Sequence, residues 1–143
     1  MVHHIVGGLI VQSDRILLGH RSESRAFYPN VWDVFGGHME PGEHPEETLV
    51  REIQEELGIT PTQWTGLETI TESVPERDGI PSHDLICHLY CVTAWLGTPV
   101  NRQSREHSSI GWFSYAEAVQ LELADPVYRR LFAQCLYSVT NSE

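Results

Sequence analysis

Residues 36–59, GGHMEPGEHPEETLVREIQEELGI, constrain the fold more than any other part of the chain. Pro45 suits the first position of a helix, the acidic residues after it suit the positive end of the helix dipole, and Gly58 suits the position just beyond the last turn. Apolar residues recur at steps of four between positions 49 and 57, which predicts a buried stripe along the helix. The segment therefore predicts a glycine turn followed by a short helix that packs on a core.

The same helix carries an unusual number of glutamates. Glu52, Glu55 and Glu56 stand at positions i, i+3 and i+4, so their carboxylates are predicted to share one face, rotated away from the apolar stripe. Like charges at this spacing repel each other, and Arg51 can pair with Glu55, four residues later. A solvated acidic face would intersperse Lys, and the chain contains none. Three converging carboxylates suit a hard cation, Mg²⁺ or Mn²⁺, which prefers oxygen ligands.

Short apolar runs predict the remaining elements. A hairpin is expected at residues 5–21 around Ser13 and Asp14, and a last helix is expected from Asp125 as its N-cap. Further strands are predicted at 31–35, 67–74, 83–96 and 109–113, and a short helix at 114–122. Strands and helices alternate without a strict βαβ order, which favours a mixed sheet with helices on both faces. With no internal repeat or linker, residues 1–143 are predicted to form one domain.

Charge and apolar patterning narrow the class of protein. The net charge of −11 argues against a nucleic-acid polymer as partner, because such binding normally rests on a basic patch. It allows a small phosphorylated substrate if a divalent cation supplies positive charge. No apolar run approaches the roughly 18 residues that a membrane span requires, and the first residues are typical of a strand rather than of a signal peptide. We therefore predict no membrane partner and a cytoplasmic location.

Cysteine spacing predicts neither a disulfide framework nor a zinc site. Cys87, Cys91 and Cys135 are odd in number and lack a CxxC pair. On one strand, Cys87 and Cys91 would be too far apart to pair. We expect all three to be free thiols in a reducing compartment.

The glutamate segment resembles a known family signature. Residues 37–59 match the Nudix box, the signature of the Nudix hydrolases, at Gly37, Glu43, Arg51, Glu52, Ile53, Glu55, Glu56, Gly58 and Ile59. RILLGHR, VWDVFGGHMEPGE and EHSSIGWF also fall where that family has comparable segments. The resemblance implies a Nudix-type α/β/α sandwich with a mixed β-sheet. It also implies metal-dependent hydrolysis of a nucleoside diphosphate linked to another group.

The resemblance assigns expected roles within the box. Metal ligands would be Glu52, Glu55 and Glu56. Gly37 would either offer its backbone carbonyl as a further ligand or serve only as a tight turn. Arg51 would orient Glu55 and Glu56, Glu43 would make a structural contact with the helix, and Gly58 would end the helix. These roles depend on positions in the motif.

The general base is expected at one of two positions. Glu52 is one candidate. Glu106 is the other, because it precedes Trp112 by six residues, where MutT-like members carry an acidic residue on a loop. His107 beside it is expected to be exposed.

Substrate contacts are expected from basic and aromatic residues near the box. Arg21, Arg25 and His38 are candidates for contacts with phosphates, and Phe27, Tyr28 and Phe35 are candidates for stacking on a base. Phe35 departs from the family, where Pro usually precedes the two glycines. This departure leaves the shape of the pocket open.

The predicted activity is that of a MutT-like enzyme, which hydrolyses a (d)NTP or oxidised (d)NTP to the monophosphate and pyrophosphate. An ADP-ribose or dinucleotide pyrophosphatase is the alternative, because Pro75 stands near a proline of ADP-ribose-type members. The isomerase of isopentenyl diphosphate is rejected, since position 36 is Gly rather than Cys. A binding module without activity is disfavoured by the intact box. The nucleobase, the leaving group and the oligomeric state are left open.

Overall fold

The computed structural model describes residues 1–25 and 28–140, which form seven strands and three helices. The strands are β1 (Val2–Gln12), β2 (Arg15–Arg21), β3 (Trp32–Asp33), β4 (Phe35–His38), β5 (Thr60–Val74), β6 (His83–Leu96) and β7 (His107–Ser114). The helices are α1 (Pro45–Leu57), α2 (Tyr115–Ala118) and α3 (Tyr128–Thr140). None of the helices in these residues is long and apolar enough to cross a membrane.

All strands join one sheet with the order β3-β2-β1-β6-β5, while β4 pairs with β1 and β7 pairs with β2. β1 runs parallel to β6, from Val2 opposite Asp84 to Ile10 opposite Val92. The other pairs are antiparallel, including the predicted hairpin of β1 and β2, in which Gln12 faces Arg15. The sheet is therefore mixed, as predicted.

Helices cover both faces of the sheet. Alternate residues of β1 divide between two cores, because successive strand side chains point to opposite faces. The core under α1 contains Val6, Ile10, Leu17, Phe35, Leu49, Ile53, Leu57, Ile59 and Val92. The core under α2 and α3 includes Leu9, Val11, Ile16, Leu18, Leu89, Ala118, Leu131 and Phe132. The predicted three-layer arrangement is confirmed.

Local signals define α1 at both ends. Its first residue is Pro45, and the carboxylate of Glu47 accepts a hydrogen bond from the backbone N–H of His44 at 2.9 Å. Gly58 ends the helix in the left-handed conformation, with φ 71°, which favours glycine. Gly8 on β1 lets the helix approach closely, since a Cβ there would lie 2.7 Å from Ile53 Cδ1. The bounds of α1 agree with the sequence prediction.

Other boundaries differ from the prediction. The strand expected at 31–35 is split into β3, which pairs with β2, and β4, which pairs with β1. Between them the N–H of Val34 donates to the Asp33 side chain. β5 begins at Thr60 rather than at residue 67, and irregular pairing near Gln63 and Gly66 hides its alternation. α2 ends at Ala118, earlier than expected.

The prediction of three free thiols was wrong. Cys91 on β6 and Cys135 on α3 form a disulfide with their Cα atoms 6.0 Å apart, while Cys87 is free. The partners are separated by 44 residues and belong to different elements. Local cysteine spacing therefore carried no information about this pairing.

Candidate active site

Glu56 lies at the centre of the glutamate face and is almost completely buried, with 4% of its surface exposed. The N–H of Gly36 donates to its Oε1 at 3.2 Å. Its Oε2 is buried and has no hydrogen-bond partner among residues 1–25 and 28–140. Burial, together with the negative charges of Glu52 and Glu106, raises the pKa of Glu56 to about 9. A buried carboxylate with an unpaired oxygen is costly unless a cation accompanies it.

Glu52 lies directly over Gly37 of β4. A Cβ at position 37 would lie 2.5 Å from Glu52 Cδ and within 2.7 Å of both carboxylate oxygens. Only glycine leaves room for the carboxylate at this place. Burial raises the pKa of Glu52, while the guanidinium of Arg51 opposes that rise. Gly36 and Gly37 thus border the glutamate face.

Arg51 connects the glutamates on the outer side of α1. Its Nε donates to Glu43 Oε2 at 2.7 Å and its Nη2 donates to Glu43 Oε1 at 2.9 Å. Its Nη1 donates to Glu52 Oε1 at 2.9 Å and lies 3.6 Å from Glu55 Oε1. The bidentate pair is the main cause that lowers the pKa of Glu43 to about 2.

This arrangement corrects one expected contact of Arg51. The guanidinium holds Glu43, Glu52 and Glu55, whereas Glu56 is held by the backbone of Gly36. The reason is that Glu56 points toward the sheet and Arg51 points toward the turn. Glu43 also accepts a hydrogen bond from Thr48 Oγ1 at 2.6 Å, so it contacts the helix as predicted.

The glutamate face fits a divalent cation, although no group of three ligating side chains is already assembled in the described residues. The unpaired Oε2 of Glu56 and the glycine hollow that admits Glu52 both provide oxygen donors. Glu55 is half exposed, and its Oε1 lies 3.6 Å from Arg51 Nη1. Oxygen-only donor sets suit Mg²⁺ and Mn²⁺. The residues that could hold such an ion are Glu52, Glu55, Glu56 and the carbonyl of Gly37.

Glu106 reaches this face from the loop that precedes β7. Its charge contributes to the raised pKa of both Glu52 and Glu56, after the larger effect of burial. The backbone of the loop is tied to the end of α1, where Arg102 N–H donates to the Glu56 carbonyl at 2.9 Å. The structure therefore brings Glu106 close to the glutamates of α1, although they are far apart in the sequence.

His107 is buried, so its expected exposure was wrong. Only 4% of its surface is accessible, and its ring lies 5.2 Å from that of Phe35. Burial, together with the charges of Arg25 and Arg21, lowers the pKa of His107 to about 4. The imidazole is therefore neutral at neutral pH.

Arg21, Arg25 and His38 have different surroundings. Arg21 donates from Nε to the Tyr28 carbonyl at 3.0 Å and from Nη1 to Asp33 Oδ2 at 3.4 Å, so its fork is engaged within the protein. Arg25 Nη1 donates to the Glu106 carbonyl at 3.4 Å. His38 is exposed at the end of β4. Arg25 is therefore the candidate phosphate contact that lies beside Glu106.

Two of the aromatic candidates, Phe35 and Tyr28, lie in different surroundings. Phe35 is 1% exposed and packs in the core under α1, which corrects its expected role in stacking on a base. It took a core position because alternate residues of β4 face the helix. Tyr28 is exposed, with 58% of its surface accessible. Phe27 lies outside the described residues.

Sequence reasoning missed a second polar cluster, on the α3 side of the sheet. Burial raises the pKa of Asp33, although a hydrogen bond with Tyr128 opposes the rise. Glu72 is exposed on β5, and partial burial of its carboxyl, followed by the charge of Asp125 and a hydrogen bond with it, raises its pKa. Burial also raises the pKa of the Cys87 thiol to about 12. These side chains come from separate elements, so the spacing of residues in the sequence could not predict the cluster.

The chain is similar to known proteins over most of its length. Residues 1–135 match the family model for the NUDIX domain. The chain is 33% identical over 120 residues to the CTP pyrophosphohydrolase of Escherichia coli K12, covering 84% of this chain and 82% of that protein. It is 32% identical over 92 residues to the 8-oxo-dGTP diphosphatase of Proteus vulgaris, covering 64% of this chain and 77% of that protein. The solved structure of a MutT NUDIX hydrolase from Burkholderia pseudomallei superposes with a TM-score of 0.71 at 28% identity, covering 82% and 86% of the two chains.

Proposed function

Because the chain belongs to the NUDIX domain family and is a Nudix hydrolase, we propose that it converts a nucleoside triphosphate to the monophosphate and pyrophosphate. Two relatives support a triphosphate substrate, since one is named a CTP pyrophosphohydrolase and another an 8-oxo-dGTP diphosphatase. The proposed substrates are accordingly CTP-like and oxidised purine nucleotides.

The observation that carries the proposal is the buried, unpaired carboxylate oxygen of Glu56 beside Glu52 and Gly37. We assign Glu52, Glu55, Glu56 and the carbonyl of Gly37 as holders of Mg²⁺ or Mn²⁺. A bound divalent cation neutralises charge on the phosphate oxygens and lowers the pKa of water. Burial of Glu56 keeps bulk water away from this oxygen, which strengthens its interaction with a cation.

The remaining roles in the proposal belong to the side chains around this face. Glu106 accepts the proton of the attacking water, with Glu52 as the other candidate base. Arg51 holds Glu52 and Glu43 in place through its fork. Arg25, beside Glu106, contacts a substrate phosphate, and such charge-assisted contacts offset the acidity of the protein.

A substrate panel tests the proposal. We expect kcat/KM for CTP, dGTP or 8-oxo-dGTP to exceed that for ADP-ribose by more than tenfold with Mg²⁺ or Mn²⁺, and pyrophosphate to be released. Glu56→Gln should reduce turnover by more than tenfold, because it removes one anion from the site. Glu76→Gln, in an exposed loop, is the matched control and should retain wild-type turnover. A preference of more than tenfold for ADP-ribose would establish the alternative activity instead.

A further inference from the structure

The loop at residues 97–106 joins β6 to β7 and carries Glu106, and its first anchor is the end of α1. The N–H of Val100 donates to the Leu57 carbonyl at 3.0 Å, and the N–H of Arg102 donates to the Glu56 carbonyl at 2.9 Å. The last carbonyls of a helix lack partners within the helix, so the loop satisfies two of them. The loop is thereby fixed to the helix that carries the candidate metal ligands.

The second anchor is the ring of His107, which fills a hollow above β2. A Cβ at Gly19 would lie 2.5 Å from His107 Cδ2 and 3.0 Å from Phe35 Cε1. The hollow therefore exists only because residue 19 is glycine. The register between β2 and β7 also shifts at His20 and Arg21, where β7 begins at His107. The imidazole therefore packs against β2 at the point where the loop ends and β7 begins.

The third anchor is the backbone on both sides of Glu106. Asn101 Nδ2 donates to the His107 carbonyl at 2.8 Å, and the Glu106 carbonyl accepts from the N–H of Ser22 at 2.9 Å. The N–H groups of Glu106 and His107 both donate to the Gln103 carbonyl at 2.9 Å. Glu106 therefore leaves a segment whose backbone is held before and after it.

The surroundings of His107 favour an anchoring role by shape. Arg21 and Arg25 face the ring with positive charge, and Phe35 packs against it. A charged imidazolium would be repelled by both guanidiniums and poorly solvated. The neutral ring instead packs like an apolar side chain in the hollow at Gly19.

We propose that His107 is a positioning residue, which seats in the hollow above Gly19 and holds the carboxylate of Glu106 toward Glu52 and Glu56. This inference rests on the proposed function, in which Glu106 accepts a proton from water. Asn101 is the second brace of the same segment. In this role neither residue needs to contact the substrate.

Single variants separate positioning from binding. His107→Ala empties the hollow and Gly19→Ala displaces the ring, so both should lower kcat at least tenfold and change KM less than threefold. His107→Phe keeps a flat ring without titratable nitrogen atoms and should retain kcat within threefold. Asn101→Ala should show the same pattern with a smaller loss. It also serves if His107→Ala fails to fold. A loss of kcat in His107→Phe as large as that in His107→Ala overturns the role by shape.

A double-mutant cycle tests whether His107 acts through Glu106. Glu106→Gln with His107→Ala should be no slower than Glu106→Gln alone, because the positioned group is already gone. Multiplied losses in kcat would overturn the proposal, since a structural defect lowers kcat independently of Glu106.

Amide hydrogen exchange provides a readout without substrate. The N–H of Ser22, bonded to the Glu106 carbonyl, should exchange at least tenfold faster in His107→Ala and at the wild-type rate in His107→Phe. Unchanged protection in His107→Ala overturns the positioning role whatever the substrate proves to be. If the wild-type protein hydrolyses no triphosphate but the exchange results are as expected, the proposed function is overturned and the positioning role stands.

Discussion

Glu56 and His107 show how strongly burial changes the pKa of a single side chain in this protein. Both are polar side chains that are only 4% exposed, and burial shifts their pKa values in opposite directions. The carboxyl of Glu56 prefers to keep its proton, and the imidazole of His107 prefers to lose one. In each case the neutral form is favoured because the protein interior solvates charge poorly.

Glu56 should make the metal-free protein less stable as the pH rises from 7 to 9. An unfolded Glu has already lost its proton by pH 7, whereas folded Glu56 keeps its proton up to a pKa of about 9. The folded state therefore binds more protons, and stability decreases by at most about 1.4 kcal/mol per pH unit. His107, with a lowered pKa, affects stability only below about pH 6.5.

Denaturant unfolding in the presence of a chelator, at pH 7, 8 and 9, measures this dependence. The wild type and Glu76→Gln should lose stability over this range, and Glu56→Gln should lose much less. Saturating Mg²⁺ should also reduce the dependence, because a cation favours the carboxylate form. Equal slopes for the wild type and Glu56→Gln in chelator would contradict the prediction.

Arg51→Lys should lower kcat at least tenfold. One guanidinium donates to two oxygens of Glu43 and one of Glu52, and a single ammonium cannot span these acceptors. Glu52 would then lose its orientation over Gly37. Arg77→Lys, at an exposed arginine whose Nε lies 3.5 Å from Oδ2 of exposed Asp78, is the control for the same change of residue type. Loss of stability with wild-type specific activity would show that Arg51 supports the fold but not the site.

Among the elements, α1 was predictable because its signals are local. Pro45 and Gly58 mark its ends, and the stripe of Leu49, Ile53 and Leu57 marks its buried face. The burial of Glu56 was not predictable from the helix alone, since it depends on how β4 and the loop before β7 close over that face. β5 was underestimated because its irregular pairing breaks the period of two.

The disulfide joins two elements and could not be predicted from the spacing of the cysteines. Its contribution to stability can be tested by reduction. Closing a loop of 44 residues contributes about 4 kcal/mol by the loop-entropy argument. A thiol reductant should therefore lower the free energy of unfolding of the wild type by up to about this amount. Cys135→Ser should be insensitive to the reductant, and Cys87→Ser should respond like the wild type.

Unfolding in urea with and without reductant distinguishes these variants. Identical stability of the wild type in both conditions would show that Cys91 and Cys135 are not paired in solution. A response in Cys135→Ser would mean that the reductant acts elsewhere.

For the whole molecule, the sequence predicted a mixed sheet between helices and a face of glutamates. The mixed sheet was predicted from apolar periodicity, and the glutamate face from the spacing of residues within one motif. The positions of Glu106, Arg25 and His107 around that face depend on contacts between distant loops and strands, such as the fit of His107 over Gly19. Periodicity contains no information on such contacts, because they follow from tertiary packing.

The parallel pairing of β1 with β6 has a consequence for how the chain acquires its structure. Val2 pairs with Asp84 and Ile10 with Val92, so β1 must wait for a strand that the ribosome makes much later. Helix α1 is synthesised earlier, before the sheet on which it docks can close. Pairing two strands that are distant in sequence costs loop-closure entropy before the strands make stabilising contacts. Such pairings therefore slow folding. The glutamates of α1 are thus synthesised before the loop at residues 97–106, in which the N–H of Arg102 bonds the Glu56 carbonyl.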